Sequence, residues 1–183
     1  MDDAKEIFDK IIEKDKKNYF ALYNCGLILL NNNRTEEAEN YFKKCFEIEH
    51  EFSKALICLG NVYFKENKYD DAINQYNKIL EKEGNNEICL FNKAYALYKK
   101  DDFHESLKIY EELYNNKENN EIKMGLGICY FQLKEYGKAI ELFNLILEKE
   151  PENYDALYNK VIYLFYNGDK DECSNILKNI KKI

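Results

Sequence analysis

The chain has 183 residues with one proline, seven glycines and 33% charged residues, and this composition favours long helices because strong helix breakers are scarce. A formal net charge of -7, without a dominant cluster of Lys and Arg, excludes a protein that neutralises nucleic-acid phosphates. No apolar run is long enough for a signal peptide or a membrane span, so we expect a soluble, cytoplasmic protein without a membrane partner.

The first predicted element is an amphipathic helix over residues 2 to 15, where Ala4, Phe8, Ile11 and Ile12 share one helix face. The pair of a small residue and an aromatic residue four positions later, Ala4 and Phe8 in this helix, recurs along the whole chain. Three columns of residues recur at a spacing of 34, with one spacing of 33. The columns are small residues at Ala4, Ala38, Ala72, Ser106, Ala139 and Cys173, mostly compact residues at Gly26, Gly60, Ala94, Gly127 and Val161, and mostly aromatic residues at Phe8, Phe42, Tyr76, Tyr110, Phe143 and Leu177.

Each period is predicted to contain two helices. Leu56, Leu59 and Tyr63 mark one face of a first helix, and Ala72 and Tyr76 mark one face of a second helix. The polar segments between them, 66–68 and 100–102 among others, are long enough only for tight turns between helices.

The period from Asn120 to Asn153 carries the fullest version of the pattern, with Leu126, Gly127, Tyr130, Ala139, Phe143 and Pro151. These residues resemble the signature of the tetratricopeptide repeat family. The resemblance implies an all-α fold, a right-handed superhelical solenoid of antiparallel helix pairs with about 11 helices. It predicts one array over 1–183, made of a partial repeat at 1–18 that supplies only a second helix, repeats at 19–52, 53–86, 87–119 and 120–153, and a final repeat at 154–183.

The two ends of this array are unfinished in the sequence. It begins half-way through a repeat and stops inside the last second helix, at Ile183. Terminal repeats normally need a polar outer face. Three alternatives remain open: the chain is a piece of a longer protein, its ends self-associate into a homo-oligomer, or the ends are adequately covered by their own side chains.

Residue patterns for catalysis and for metal or cofactor binding are missing from the sequence. The two histidines, His50 and His104, are predicted to lie on the surface, and no nucleophile, zinc or phosphate-binding motif occurs. The six cysteines form no CxxC pair, and we interpret them as reduced thiols that pack as small hydrophobic residues. We therefore predict a protein that is not an enzyme and has no cofactor.

The resemblance implies that first helices line a concave surface that contacts ligands. By matching positions, this groove carries Tyr23, Asn24, Leu27, Ile57, Asn61, Phe91, Asn92, Tyr95, Met124, Ile128, Phe131, Tyr158, Asn159 and Ile162, with Phe20, Cys58, Tyr98 and Phe165 on the same face. Asn24, Asn92 and Asn159 share one column, where their amides are expected to bond the backbone of a ligand. The alternative interpretation is that part of this stripe is ordinary packing between repeats.

Members of the family that bind the C-terminal carboxylates of chaperones use Lys, Arg and Asn in three successive first helices. The best frame here gives Ile57, Asn61, Asn92, Glu121 and Gly125, in which both asparagines match and every cation is missing. A carboxylate would lose its water without gaining a cation, so this motif is not an expected partner.

The sequence therefore predicts a scaffold that binds an unidentified protein, as a peptide or an amphipathic helix, in an apolar and aromatic groove. Two alternatives are a structural array that self-associates through its uncapped ends and a regulatory segment of a larger protein.

Overall fold

A computed structural model describes residues 2–116 and 119–180 of the chain. These residues form eleven α-helices and no strand, as the sequence predicts. The helices are α1 (Asp2–Lys14), α2 (Tyr19–Asn31), α3 (Thr35–Ile48), α4 (Ser53–Lys65), α5 (Tyr69–Glu83), α6 (Glu87–Lys99), α7 (Phe103–Asn116), α8 (Asn120–Gln132), α9 (Tyr136–Lys149), α10 (Tyr154–Asn167) and α11 (Lys170–Ile180).

The even-numbered helices begin at the five positions where the sequence predicts a repeat to start, and they are the first helices of their repeats. The chain divides into two compact units, unit 1 over 1–96 and unit 2 over 97–183. Each unit is described separately below. No helix in the described part of the chain is both long enough and apolar enough to cross a membrane.

First helices start with a recurring asparagine cap. The side-chain oxygens of Asn18, Asn86, Asn119 and Asn153 each accept a backbone N–H three residues later, at distances of 2.7–3.0 Å. Such a cap satisfies a donor that the helix itself leaves without a partner. The start of α4 differs, since Phe52 precedes it and provides no side-chain cap.

The turn after each first helix has one backbone design. The residue in its centre has a positive φ at Asn33, Asn67, Asp101, Lys134 and Gly168. The next N–H then bonds the carbonyl oxygen five residues earlier, as from Lys68 to Tyr63 at 2.9 Å and from Glu135 to Tyr130 at 2.8 Å. This is the helix-ending arrangement that favours Gly or Asn, and it explains the short, polar segments in the sequence.

Glycines in the compact column allow a ring to contact the helix backbone. A Cβ added at Gly60 would lie 2.5 Å from the Tyr76 ring, and one at Gly127 would lie 2.7 Å from the Phe143 ring. Tyr76 and Phe143 are almost completely buried. The small and aromatic columns thus mark the places where first and second helices cross closely, which is what their periodicity predicts.

Two column residues, Ala4 and Leu177, and one further repeat position, Lys123, differ from the expected packing. Ala4 is exposed, since no described helix covers it, and Leu177 is 45% exposed on α11. Lys123 occupies the column of Leu22 and Leu56 and is buried to the same degree. The apolar four-carbon stem of Lys123 supplies the packing that leucine supplies in the other two repeats.

All six cysteines are free and buried, as the sequence predicts. Burial raises the pKa of the thiols of Cys25, Cys45 and Cys89 to about 11. At neutral pH these thiols are protonated and poorly nucleophilic, consistent with a packing role.

Candidate functional site

Exposed aromatic side chains are confined to first helices. Among the described residues, every Phe or Tyr that is more than a third exposed lies on α2, α6 or α10. They are Phe20 (56%), Tyr95 (39%), Tyr154 (56%), Tyr158 (67%), Phe165 (59%) and Tyr166 (60%). Aromatic rings are typical anchors of protein interfaces because they bury a large area at a small entropic cost.

Second helices present charge instead. Glu36 and Glu37 on α3 and Asp70 and Asp71 on α5 are exposed in the first turns of their helices. Acidic groups at these positions also interact favourably with the helix dipole. The exposed rings thus lie on first helices, whereas second helices expose charge together with the aliphatic side chains of Ile7, Ile11, Ile48, Leu145 and Leu177.

In unit 1, an aromatic cluster joins the start of α2 to the start of α4. The Phe52 ring lies 5.3 Å from Tyr19, 5.5 Å from Phe20 and 5.1 Å from Tyr23, in each case edge to face. Tyr23 is half-buried, its hydroxyl accepts a bond from the Cys58 thiol at 3.8 Å, and burial raises its pKa to about 12. This tyrosine therefore stays neutral and acts as part of an uncharged surface.

A polar network of side chains joins α4, α5 and α6 of the same unit. The buried Tyr76 hydroxyl donates to Asn61 Oδ1 at 2.8 Å, and the Asn92 amide donates to the same oxygen at 3.3 Å. Burial raises the pKa of Tyr76 well above its usual range. Asn61 thus accepts from two side chains at once, which fixes its orientation between the core and the surface.

Next to this network, an aromatic ring of α4 stacks on an aromatic ring of α6. The rings of Phe64 and Tyr95 lie 5.1 Å apart with an interplanar angle of 28°. Ile57 is half-buried against the core that contains Leu56 and Tyr76. Tyr95 is therefore held by a neighbouring ring while it stays partly open to solvent.

In unit 2, predicted groove residues lie together through apolar contacts. Met124, Phe131 and Ile162 pack on the core around Ala139 and Phe143. Phe131 stacks on Tyr163 at 4.1 Å with an interplanar angle of 14°. Asn159 contacts the Met124 sulfur at 3.7 Å. Tyr158, in contrast, is the most exposed large apolar side chain of the described residues.

The amides of the asparagine column, which the sequence analysis expects to bond a ligand, form hydrogen bonds within the protein. Asn24 and Asn159 donate to the carbonyl oxygens of Phe20 and Asp155 in their own helices, at 2.7 and 2.8 Å, while Asn92 donates to Asn61. At least one amide hydrogen of each is therefore used within the protein, and the Asn159 amide also donates to the Met124 sulfur. The group of Asn24 that best suits a ligand is its oxygen, an acceptor for a backbone N–H.

The predicted groove residues are mostly half-buried. Twelve of the fourteen have intermediate exposure, and only Tyr95 and Tyr158 are exposed. Cys58, which the sequence places on this face, is buried. Adjacent helices cover much of the stripe, so packing accounts for part of it.

Four apolar residues that the sequence prediction omits belong to these surfaces: Phe52, Ile88, Tyr154 and Tyr166. A signal for Phe52 is present in the sequence. Asparagine occupies the residue before four of the five first helices, and Phe52 breaks this column. The other three lie on helical faces whose exposure depends on the neighbouring helix.

Comparison with known families identifies repeat proteins. Two models described as tetratricopeptide repeat match residues 7–40 and 91–154, together more than half of the chain. A model described as anaphase-promoting complex, cyclosome, subunit 3 matches residues 31–113. No curated protein sequence is similar enough to count as a match.

Several solved structures share the fold at low sequence identity. YrrB, described as a TPR protein with an unusual peptide-binding site, is 23% identical with a TM-score of 0.74, covering 95% of this chain and 90% of that chain. A tetratricopeptide repeat protein from Parabacteroides merdae is 15% identical with a TM-score of 0.85, covering 97% and 71%. MamA from Desulfovibrio magneticus is 18% identical with a TM-score of 0.82, covering 90% and 93%.

Proposed function

The chain belongs to the tetratricopeptide repeat family, and we propose that it is a non-enzymatic scaffold whose first-helix surfaces bind a peptide or an amphipathic helix of another protein. The observation that carries the proposal is the confinement of exposed Phe and Tyr side chains to α2, α6 and α10. Isolated exposed apolar residues need no explanation, whereas aromatic residues restricted to one class of helix indicate an interaction surface.

The chemistry of the unit 1 surface suits a protein ligand. Tyr95 and Phe91 supply aromatic area on α6, and Asn61 and Asn92 supply fixed amides beside them. Apolar contacts of this kind give affinity, and a few oriented polar groups fix the ligand's register. In unit 2 the same role is proposed for Met124, Ile128, Phe131, Tyr158, Asn159 and Ile162.

A photo-crosslinking experiment tests this proposal. A photoreactive amino acid is placed at Tyr95 in one variant and at Lys44, an exposed residue on α3, in a matched control. Native extract is irradiated with each, and the crosslinked proteins are identified by mass spectrometry. We expect a protein that crosslinks from position 95 and not from position 44. Equal crosslinking from both positions would contradict the proposal.

Self-association is a second candidate because of one observation on α10. Tyr154, Tyr158, Phe165 and Tyr166 are each more than half exposed on this single helix. A second copy of the chain would remove them from water. Light scattering over a range of concentrations checks this: a dimer that dissociates on Tyr158→Ser supports it, and a monomer at every concentration rejects it.

A further inference from the structure

Asn167 and Gly168 are the one Asn-Gly pair in the sequence, and they form the turn between α10 and α11. Asn167 is the last residue of α10, and Gly168 ends the helix with a φ of 95°. In such a pair the glycine has no side chain to shield its backbone nitrogen, so this nitrogen can attack the side-chain carbon of the preceding amide. The pair is reactive wherever a fold leaves it accessible and able to move.

The turn around this pair is open to solvent. Residues 165–172 are all exposed, the longest such run in the described part of the chain. The Gly168 nitrogen lies 3.3 Å from the Phe165 carbonyl oxygen, whereas the equivalent distance in the other four turns after first helices is 2.9–3.1 Å. Exposed backbone with long hydrogen bonds opens locally at a low cost in free energy. By this distance, the Gly168 nitrogen is the most weakly held of the five equivalent atoms.

The Asn167 side chain extends towards the glycine. Its amide nitrogen donates to a carboxylate oxygen of Asp169 at 2.6 Å, so the side chain runs forward along the Gly168 peptide. The amides of Asn24 and Asn159 instead donate to carbonyl oxygens four residues earlier, and these bonds hold them back along their own helices. Asn167 thus keeps its amide beside the peptide group that contains the attacking nitrogen.

We propose that Asn167 is a modification site at which the asparagine is converted, without an enzyme, to aspartate and isoaspartate. The Gly168 nitrogen loses its proton and forms a bond to the Asn167 side-chain carbon, while the bond from that carbon to the amide nitrogen breaks and ammonia leaves. Water then opens the cyclic imide. Attack at the side-chain carbonyl gives aspartate, and attack at the main-chain carbonyl gives isoaspartate. No electrons are transferred, and the chemistry is independent of the proposed function.

The turn after α2 provides a control within the same chain. Asn32 and Asn33 occupy the positions of Asn167 and Gly168, since Asn33 also has a positive φ and the next N–H in both turns bonds the carbonyl oxygen five residues earlier at 2.9 Å. The two turns share this backbone design, and the residue after the asparagine differs. The Asn33 side chain shields its own backbone nitrogen, so Asn32 is converted much more slowly.

Isoaspartate changes the attachment of α11. It adds a methylene to the main chain between residues 167 and 168, and the turn depends on the bond from the Asp169 N–H to the Leu164 carbonyl oxygen across this segment. A lengthened chain no longer holds both groups in place. Helix α11 carries the buried Cys173, so its loosening exposes the Cys173 thiol.

Ageing of the intact protein tests the site. The chain is incubated at neutral pH under reducing conditions for several weeks, and its peptides are analysed by a mass-spectrometric fragmentation method that distinguishes isoaspartate from aspartate. Two variants are treated in parallel: Gly168→Asn, which reproduces the turn after α2, and Asn167→Gln, whose longer side chain cyclises slowly. Anion exchange separates the converted protein by its added negative charge, and iodoacetamide then labels accessible thiols in each fraction.

The expected result has a chemical and a structural part. Asn167 is converted roughly tenfold faster or more than Asn32 in the same samples, and it gives both products. Gly168→Asn slows the conversion to the rate of Asn32, and Asn167→Gln abolishes it. Labelling of Cys173 rises in the converted fraction, while labelling of Cys89 in unit 1 stays the same.

Other outcomes overturn the proposal in distinguishable ways. If Asn167 keeps its amide in the folded protein while the same residue is converted in urea, the turn protects the pair and the site is wrong. If Asn32 is converted as fast as Asn167, the following glycine is not the cause. If Cys173 is labelled equally in both fractions, the effect on α11 is wrong. All of these outcomes leave the proposed function to the crosslinking experiment.

Discussion

The hairpin α4–α5 in unit 1 and the hairpin α8–α9 in unit 2 each consist of a first and a second helix, and they differ in what their first helices preserve. Both place a glycine against a buried ring, Gly60 against Tyr76 and Gly127 against Phe143. Helix α8 retains its asparagine cap, whereas α4 does not. The shared features are those that close helix crossings require, and the differing position is occupied by a ring that packs on the core of unit 1.

A second difference lies inside the two first helices. Helix α8 contains an additional glycine, Gly125, where α4 has the buried Cys58. A Cβ added at Gly125 would lie 2.5 Å from the ring of Tyr110, which belongs to the preceding second helix. Helix α8 therefore accommodates rings on two sides, whereas Phe52 at the start of α4 packs on the core of Leu22, Cys45 and Ala55.

The largest expected effect tests the feature that both hairpins share. Gly60→Val and Gly127→Val should each destabilise the protein by about 3 kcal/mol, because the added atoms overlap a buried ring. Gly137→Val is the control, since a Cβ at this exposed position on α9 meets no atom within 4 Å. Chemical denaturation measures all three. A small change at Gly60 and Gly127 would show that the rings move aside.

A substitution of intermediate expected effect on stability distinguishes the turn of α4–α5 from the turn of α8–α9. Asn67 and Lys134 both have a positive φ, 59° and 64°. A positive φ costs lysine more energy than asparagine, so Lys134→Gly should stabilise the protein by about 0.5–1 kcal/mol. Asn67→Gly should change stability by less than half of that. Equal gains from both substitutions, measured by thermal unfolding, would contradict this account of the turns.

The smallest expected effect concerns a carboxylate at the end of α5. Glu83 accepts hydrogen bonds from Ser53 and from Asn86, and these bonds lower its pKa below the usual range. Its folded pKa lies below its unfolded value, so the contribution to stability is present above pH of about 4.3 and is lost as the pH falls through the folded pKa.

Glu83→Gln tests this contribution. The substitution should lower the melting temperature at pH 7 by only about 1 °C because the group is largely exposed. The difference from the wild type should disappear near pH 3. A difference that persists at low pH would mean that the carboxylate charge is irrelevant.

Much of the fold is predictable because it depends on local rules repeated six times. The spacing of small and aromatic residues predicts the helices, and the five first helices begin at the predicted repeat starts. The positions of Ala72, Tyr76 and Gly60 in a buried crossing follow from the same columns. Periodicity is a strong signal here, since every repeat must satisfy the same contacts with its neighbours.

The candidate site is less predictable for a physical reason. Tyr23 and Tyr158 occupy the same position in their repeats, yet Tyr23 is half-buried beside Phe52 and Tyr158 is 67% exposed. Exposure depends on which side chains the next helix brings, and a single repeat does not contain that information. The choice of groove residues therefore stays a prediction that the crosslinking experiment addresses.

What the sequence by itself determined is the all-α repeat, the turns and the cysteines as buried thiols, because these depend on periodicity and local backbone preferences. Only the tertiary structure decided that Lys123 is buried, that Gly125 makes room for Tyr110, and that Phe52 joins Phe20 in an open aromatic cluster. Each of these depends on contacts between helices that are distant in sequence. Such contacts are set by how side chains of different size fill the space between packed helices.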